Sequence, residues 1–196
     1  MSRTATRQRT TKETSVEITL DLDGSGTADV STGLPFYDHM LDQLGRHGGF
    51  DLAVKATGDL HIDSHHTVED TGILLGETFR AALGDKAGIR RFASGRYPLD
   101  EALVEVVVDL SGRPFVVWEV EMPEAIPLGN PPFDPSLAEH AVSSFATSAG
   151  ITLHVELIRG RNVHHIIEAC FKGLARSLRD AVRVDGAGVP STKGVL

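Results

Sequence analysis

The residues of this chain best suited to chemistry are histidines that stand side by side. The motif His-His-x-x-Glu occurs twice, beginning at His65 and at His164. Imidazole nitrogens and carboxylate oxygens without sulfur suit Mn(II), Fe(II), Co(II), Ni(II) or Zn(II), and four such ligands on an octahedral ion leave positions open for substrate. We therefore expect metal-dependent catalysis rather than a purely structural metal site.

Each motif is accompanied by a histidine from an earlier predicted helix, His39 in PFYDHMLDQL and His140 in SLAEHAVSSF. The predicted metal ligands are His39, His65, His66, Glu69, His140, His164, His165 and Glu168. Adjacent residues of a helix point about 100° apart, whereas residues three or four apart share a face. We therefore pair the second histidine of each motif with its glutamate and expect the first histidine to reach a different ion. A single His-His pair is ordinarily a surface or capping feature, but recurrence in register favours two metal ions shared between repeats.

An internal repeat organises these residues. The segment 15–26 is similar to 103–114, and 38–54 is similar to 139–155, in the same order as the two histidine motifs. A proline-rich insertion at 122–136 lengthens one loop of the second half. Strand alternation and helical periodicity predict two strands, a helix, a third strand and a final helix in each half. The sequence thus predicts an α+β fold, a tandem duplication of a β-β-α-β-α half-domain with antiparallel sheets and helices packed on one face.

The repeat also predicts the division of the chain, with a junction near Gly95 to Leu99. We expect a flexible N-terminus (1–12), a first half-domain (13–97), a second half-domain (98–185) and a C-terminal tail (186–196), together forming one functional unit.

The composition excludes several classes of protein. A formal net charge of −8 argues against nucleic acid as a partner, because duplex binding needs a clustered positive face. No apolar run approaches the roughly 20 residues needed to cross a bilayer, and the opening residues lack the apolar stretch of a signal peptide. We therefore expect a cytoplasmic protein without a membrane partner. The single cysteine, Cys170, excludes a disulfide framework and a cysteine-based zinc site, and we expect it in the core.

Several segments resemble the imidazoleglycerol-phosphate dehydratase family. They are FYDHMLDQLGRHGGFDL, DSHHTVEDTGILLG, GIRRF, DLSGRPF, NVHHIIEACFKGLARSLRDAV and PSTKGVL, and the resemblance runs from Glu13 to Lys193. It implies a lyase that dehydrates imidazole glycerol phosphate to imidazole acetol phosphate in L-histidine biosynthesis, through a metal-bridged imidazolate and a diazafulvene intermediate. It further implies two Mn(II) per subunit, a ribosomal protein S5 domain 2-like fold, and a homo-oligomer of about 24 subunits with active sites at subunit interfaces.

The resemblance also implies roles for individual residues. One ion is assigned to His39, His66, Glu69 and His164, and the other to His140, His165, Glu168 and His65. The implied catalytic carboxylates are Glu13, Glu69 and Glu168, with Glu13 as the acid/base group. Substrate binding is assigned to Glu13, His39, Arg91, Arg113, Ser191, Thr192 and Lys193. Without the resemblance, Glu13 would be interpreted as a solvated residue and the tail as disordered, whereas with it the tail is a loop that orders over bound substrate.

Two other functions compete with this interpretation. A metal-storage protein would hold ions without turnover and would have no need of basic residues at Arg91, Arg113 and Lys193. A dinuclear oxygenase would be built on a helix bundle with Glu-x-x-His motifs and more carboxylates, which the predicted strands do not favour.

Overall fold

The computed structural model describes residues 3–123, 126–194 and 196. The first half contains β1 (Thr4–Thr10), β2 (Thr14–Asp21), β3 (Ala28–Ser31), α1 (Pro35–Gly48), β4 (Asp51–Gly58) and α2 (His65–Leu83). The second half contains β5 (Phe92–Leu99), β6 (Ala102–Asp109), β7 (Phe115–Glu119), α3 (Leu137–Ala149), β8 (Thr152–Arg159) and α4 (Val163–Ala181). The predicted α+β duplication is confirmed, with one additional strand before the first helix of each half.

The strands form two four-stranded sheets of identical topology, ordered β1-β2-β4-β3 and β5-β6-β8-β7. The predicted antiparallel pairing is wrong for one pair in each sheet, because β3 runs parallel to β4 and β7 runs parallel to β8. The chain reverses direction after β2, so β3 runs opposite to β2. Strand β4 then inserts between them, and being antiparallel to β2 it must be parallel to β3.

Two strands lie in the segments where we expected a flexible N-terminus and the junction between the halves. The segment 1–12, which we expected to be flexible, contains β1, paired with β2 from Thr4–Asp21 to Thr10–Ser15, while residues 1 and 2 lie outside the described part. Strand β1 escaped prediction because an edge strand needs no hydrophobic face, and only Ala5 among its residues is apolar. Strand β5 spans the predicted junction and pairs with β6, so the second half begins at Phe92.

The helices of the two halves pack against each other, α2 on α3 and α1 on α4. The approach of α2 to α3 is close at Gly76, where an added Cβ would lie 2.3 Å from the carbonyl oxygen of Phe145. Cys170 lies in the core as predicted, and burial raises the pKa of its thiol to about 12. Each first helix therefore lies beside the last helix of the other half, and this packing brings the histidines together. No helix in the described residues is long and apolar enough to span a membrane.

Candidate metal and phosphate sites

The histidine motifs occupy the first turns of α2 and α4, where polar side chains fix the start of each helix. The backbone N–H of His65 donates to Asp63 Oδ1 at 2.8 Å, and that of His165 donates to Asn162 Oδ1 at 3.3 Å. These bonds satisfy donors that a helix cannot pair internally. Each helix therefore begins at a fixed residue, which places both histidines of its motif in the first turn.

One cluster forms between α1 and α4, and we call it the α1–α4 cluster. His39 Nε2 and His164 Nε2 lie 3.2 Å and 2.9 Å from Glu168 Oε2. The other carboxylate oxygen, Oε1, accepts a hydrogen bond from Lys172 Nζ at 2.6 Å. Burial alone would raise the pKa of Glu168, but the hydrogen bonds from Lys172, His164 and His39 lower it to about 2. Glu168 is therefore held as a carboxylate beside two imidazoles.

The equivalent α2–α3 cluster consists of His65, Glu69 and His140. The rings of His65 and His140 have centroids 4.3 Å apart, and His140 Nε2 lies 3.3 Å from Glu69 Oε1. His140 Nε2 is also buried without a hydrogen-bond partner among the described residues. An unpaired buried imidazole nitrogen is costly unless something else binds it.

Both clusters suit a divalent metal ion. In each, two imidazole nitrogens and a carboxylate oxygen lie within 4.8 Å of one another, so one ion between them would contact all three. The buried nitrogen of His140 would gain a partner in the ion. The donor set and its geometry at each cluster therefore fit a metal.

Within one chain, the glutamate of each motif lies nearer to the first histidine than to the second, with which we expect it to share an ion. The structure groups the first histidine with the glutamate, so Glu168 joins His39 and His164, and Glu69 joins His65 and His140. On a helix, residues four apart differ by about 40° in direction and residues three apart by about 60°. Both spacings place two side chains on one face, so the pairing of the second histidine with the glutamate on one ion stays a prediction.

The second histidine of each motif lies outside both clusters among the described residues and is oriented by a carboxylate. His66 Nδ1 lies 3.0 Å from Asp59 Oδ2, and His165 Nδ1 lies 2.7 Å from Glu101 Oε2. The hydrogen bond to Asp59 raises the pKa of His66, and hydrogen bonds from His165 and the Asn162 backbone lower the pKa of Glu101 to about 2. A histidine held through Nδ1 presents Nε2 to a metal, which is the usual arrangement at metal centres.

Glu13, the predicted acid/base residue, lies in the turn between β1 and β2, and its field raises the pKa of the neighbouring His66. Its carboxylate forms no hydrogen bond or ion pair with a described residue. Glu13 is therefore close to the start of α2 and free to contact a substrate.

Five of the predicted substrate-binding residues line one open cavity of about 570 Å³. Its lining comprises Arg91, Arg113, Pro190, Ser191, Thr192 and Lys193. Arg91 has φ of 74°, a left-handed conformation that non-glycine residues rarely adopt, and its backbone N–H bonds to the carbonyl of Ala181 at 2.9 Å. Its guanidinium donates to both oxygens of Asp109, at 2.7 and 3.1 Å, and to the carbonyl of Pro190 at 2.8 Å. Arg91 thus anchors the tail, while Arg113 and Lys193 carry the more exposed charges.

A family model of imidazoleglycerol-phosphate dehydratase matches residues 32–178. The chain belongs to the imidazoleglycerol-phosphate dehydratase family. The imidazoleglycerol-phosphate dehydratase of Acidothermus cellulolyticus is 60% identical over 196 residues, 99% of this chain and 93% of the relative. Crystal structures of the Staphylococcus aureus and Pyrococcus furiosus dehydratases superpose with TM-scores of 0.82 and 0.81, at 34% and 36% identity. These alignments cover 92% and 97% of this chain, and 99% and 100% of the crystallised chains.

Membership of the imidazoleglycerol-phosphate dehydratase family makes the chain a lyase of histidine biosynthesis, as the resemblance implied. It also excludes the two alternatives, a dinuclear oxygenase and a metal-storage protein. The sequence interpretation missed four side chains that support the site: Asp59, Asp70, Glu101 and Lys172. Of these, Lys172 could have been found from its i,i+4 spacing to Glu168, and Glu101 from its equivalence to Glu13 in the repeat.

Proposed function

We propose that this chain is a Mn(II)-dependent dehydratase that converts imidazole glycerol phosphate to imidazole acetol phosphate in the cytoplasm, at active sites formed between identical subunits. The observation that carries the proposal is the pair of equivalent clusters of two histidines and a glutamate, in a chain of this family. Two such clusters suit a substrate whose ring has two nitrogens, one for each ion.

In this proposal the histidines of the α1–α4 cluster hold one Mn(II) and those of the α2–α3 cluster hold the other, giving two ions per subunit. A neighbouring subunit completes each set of four ligands: His66 and Glu69 join His39 and His164 at one ion, and His165 and Glu168 join His65 and His140 at the other. The orientation of His66 and His165 by carboxylates supports this role, because it leaves Nε2 available.

The separation of the metal clusters from the cationic cavity supports an active site shared between subunits. His164 lies at the start of α4, whereas Ala181, at its end, bonds to Arg91 of the cavity. At 1.5 Å per residue, these ends of α4 are about 26 Å apart. The substrate, with bonds of about 1.5 Å, spans on the order of 10 Å. One substrate cannot reach both sites in one chain, which favours the proposed homo-oligomer of about 24 subunits.

The chemistry requires a proton to leave a carbon atom that is not next to a carbonyl group. When bound, the two ions would act as Lewis acids that lower the pKa of the substrate's imidazole ring. The ring electrons would then expel the hydroxyl of the adjacent carbon, which takes up the proton released by the ring, departs as water and leaves a diazafulvene. Glu13 removes the proton from the next carbon, and the resulting enol becomes the ketone by protonation of the carbon beside the ring.

The substrate's phosphate is bound by the cavity beside the end of α4, far from the metal clusters of the same chain. Arg113 and Lys193 offer exposed cations, Ser191 and Thr192 offer hydroxyl donors, and Arg91 positions the tail that carries three of these groups. Closing of this tail over the phosphate would exclude water from the reacting atoms.

The proposal is tested by incubating the purified, Mn(II)-loaded protein with imidazole glycerol phosphate and following formation of the enolisable ketone. We expect turnover that is lost on chelation of the metal and restored by added Mn(II). Absence of turnover in a fully metal-loaded assembly would contradict the proposal.

A further inference from the structure

Asp70 follows the metal ligand Glu69 on α2, but its side chain faces the first sheet and not the α2–α3 cluster. It is buried, with 7% of its surface exposed. Its Oδ1 accepts a hydrogen bond from Arg9 Nε at 3.1 Å, and its Oδ2 accepts one from the hydroxyl of Thr14. Both carboxylate oxygens are therefore bound by residues on either side of the turn between β1 and β2.

This turn carries Glu13 and is rigid for a second reason. The hydroxyl of Thr11 accepts hydrogen bonds from the backbone N–H groups of Glu13, at 3.1 Å, and of Thr14, at 3.0 Å. Thr14 is itself buried, with 4% of its surface exposed. The backbone of Glu13 is thus fixed from both sides, whereas its carboxylate projects freely. Asp70 connects this arrangement to the helix that carries two metal ligands of the α2–α3 cluster.

The second half of the chain lacks this anchor at the equivalent positions. By the repeat, Ala169 stands in the place of Asp70, Ala102 in that of Thr14, and Glu101 in that of Glu13. Glu101 is held through its own carboxylate instead, by His165 Nδ1 and by the backbone N–H groups of Asn162 at 2.8 Å and Arg161 at 3.1 Å. The fold therefore accommodates alanine at this helix position. The buried carboxylate is found in the half where the carboxylate of the turn glutamate has no hydrogen bond to the described part of the chain.

We propose that Asp70 is a positioning residue that holds the β1–β2 turn, through Thr14 and Arg9, so that the Glu13 carboxylate reaches the reacting carbon of the substrate. This inference rests on the proposed function, in which Glu13 transfers a proton. A displacement of about 1 Å in a reacting group can lower a rate about 100-fold, so a buried anchor for the turn has a direct effect on turnover.

A double-mutant cycle tests the inference. Turnover, KM and bound Mn(II) are measured in the wild-type assembly, Asp70→Asn, Glu13→Gln and the double variant, all at saturating Mn(II). We expect Asp70→Asn to lower kcat about 10- to 100-fold with KM and bound Mn(II) unchanged. Because Asp70 acts through Glu13, the double variant should be within about twofold of Glu13→Gln alone.

Other results would overturn the inference. A double variant slowed by the product of the two single effects would mean that Asp70 acts independently of Glu13. Loss of Mn(II) from Asp70→Asn would mean that it supports Glu69 instead, and an unchanged kcat would mean that the anchor has no role in turnover. Absence of turnover in the wild-type assembly would overturn the proposed function, and this inference with it.

A matched control separates positioning from stability. Phe79, 1% exposed, packs in the core from the same helix, so Phe79→Leu should lower the melting temperature while kcat at 25 °C stays within about twofold of wild type. Equal losses of kcat in Phe79→Leu and Asp70→Asn would contradict a positioning role. Arg9→Ala removes one of the two contacts and leaves Asp70 Oδ2 bound to Thr14, and its smaller loss of kcat should also disappear in the Glu13→Gln background.

Discussion

The two halves of this chain keep the same metal-ligand positions but surround them with different groups. In the first half Asp59 orients the second histidine of the motif, and the carboxylate of Glu13 forms no hydrogen bond with any residue that the structure describes. In the second half Glu101, the equivalent of Glu13, orients that histidine, and Gly160 stands where Asp59 would be. The turn glutamate of the second half, Glu101, therefore orients a histidine, whereas the carboxylate of Glu13 is available to contact substrate.

The difference shows how the two halves of a duplicated protein can acquire different functions. The positions that remain equal provide two similar clusters of two histidines and a glutamate. The positions that differ provide chemical groups that occur in one half only. Two identical halves could not provide such groups. Lys172 is another example: it holds Glu168 in the α1–α4 cluster, whereas Ile73 occupies the equivalent place beside Glu69.

The largest effect should follow from removing equivalent ligands in either half. His65→Ala and His164→Ala should each lower turnover about 10³-fold or more, because several kcal/mol of Lewis-acid stabilisation are lost with the ion. Metal analysis should find one of two ions missing per chain in each variant. His154→Ala, exposed on β8, is the control and should retain both ions. If only one of these two substitutions lowered turnover and metal content, the clusters would not be equivalent.

A smaller effect should distinguish the turn glutamate of the second half. Glu101→Gln should weaken Mn(II) binding about 10- to 100-fold, since the carboxylate that orients His165 is lost, and excess Mn(II) should restore turnover. Glu105→Gln, which removes an exposed ion pair with Arg96 on the neighbouring strand, should change neither quantity. The role of Glu101 would be refuted if metal titrations gave Glu101→Gln the same affinity for Mn(II) as Glu105→Gln.

A substitution in the cationic cavity should affect substrate binding more than turnover. Lys193→Ala should raise KM about 10-fold, the value expected for loss of one charge-assisted hydrogen bond to phosphate. Steady-state kinetics should show little change in kcat, and Lys55→Ala, exposed on β4, should behave as wild type. An unchanged KM in Lys193→Ala would remove the tail from the phosphate site.

The smallest effect on turnover is expected at the contact between α2 and α3. Gly76 allows a close approach there, whereas Ala175 is its equivalent in α4. Gly76→Ala should destabilise the fold by about 1–3 kcal/mol through overpacking, although alanine favours helix by about 1 kcal/mol. Calorimetry should show a lower melting temperature with kcat at 25 °C unchanged. Gly186→Ala, where an added Cβ meets no atom within 4 Å, is the control, and equal stability of the two variants would contradict close packing.

Much of the fold and of the metal site could be predicted because the information is local. The spacing of His65, Glu69 and their repeats places chemical groups on one helix, and the repeat itself predicts which helices are equivalent. Hydrophobic periodicity also predicts α2 and α4, whose buried faces hold the core. Strand β1 could not be predicted in this way, because its partner β2 and not its own side chains determines that it is a strand.

The remaining features depend on contacts between distant residues. Asp70 bonds to Thr14, 56 residues away, and the sequence carries no sign of this contact. The grouping of Glu168 with His39, 129 residues earlier, required the packing of α1 on α4 as well as the direction of each side chain. Asp59 has no equivalent in the second half, so the repeat gave no indication of its role.

The most direct test of this difference in function between the halves measures turnover and bound Mn(II) together in Glu13→Gln at saturating Mn(II). We predict that kcat falls about 10²- to 10⁴-fold, as expected for loss of an acid/base group, while the metal content stays equal to that of the wild-type assembly. Turnover equal to wild type, or loss of an ion from Glu13→Gln, would contradict the claim that Glu13 acts on substrate while its equivalent, Glu101, serves the metal site.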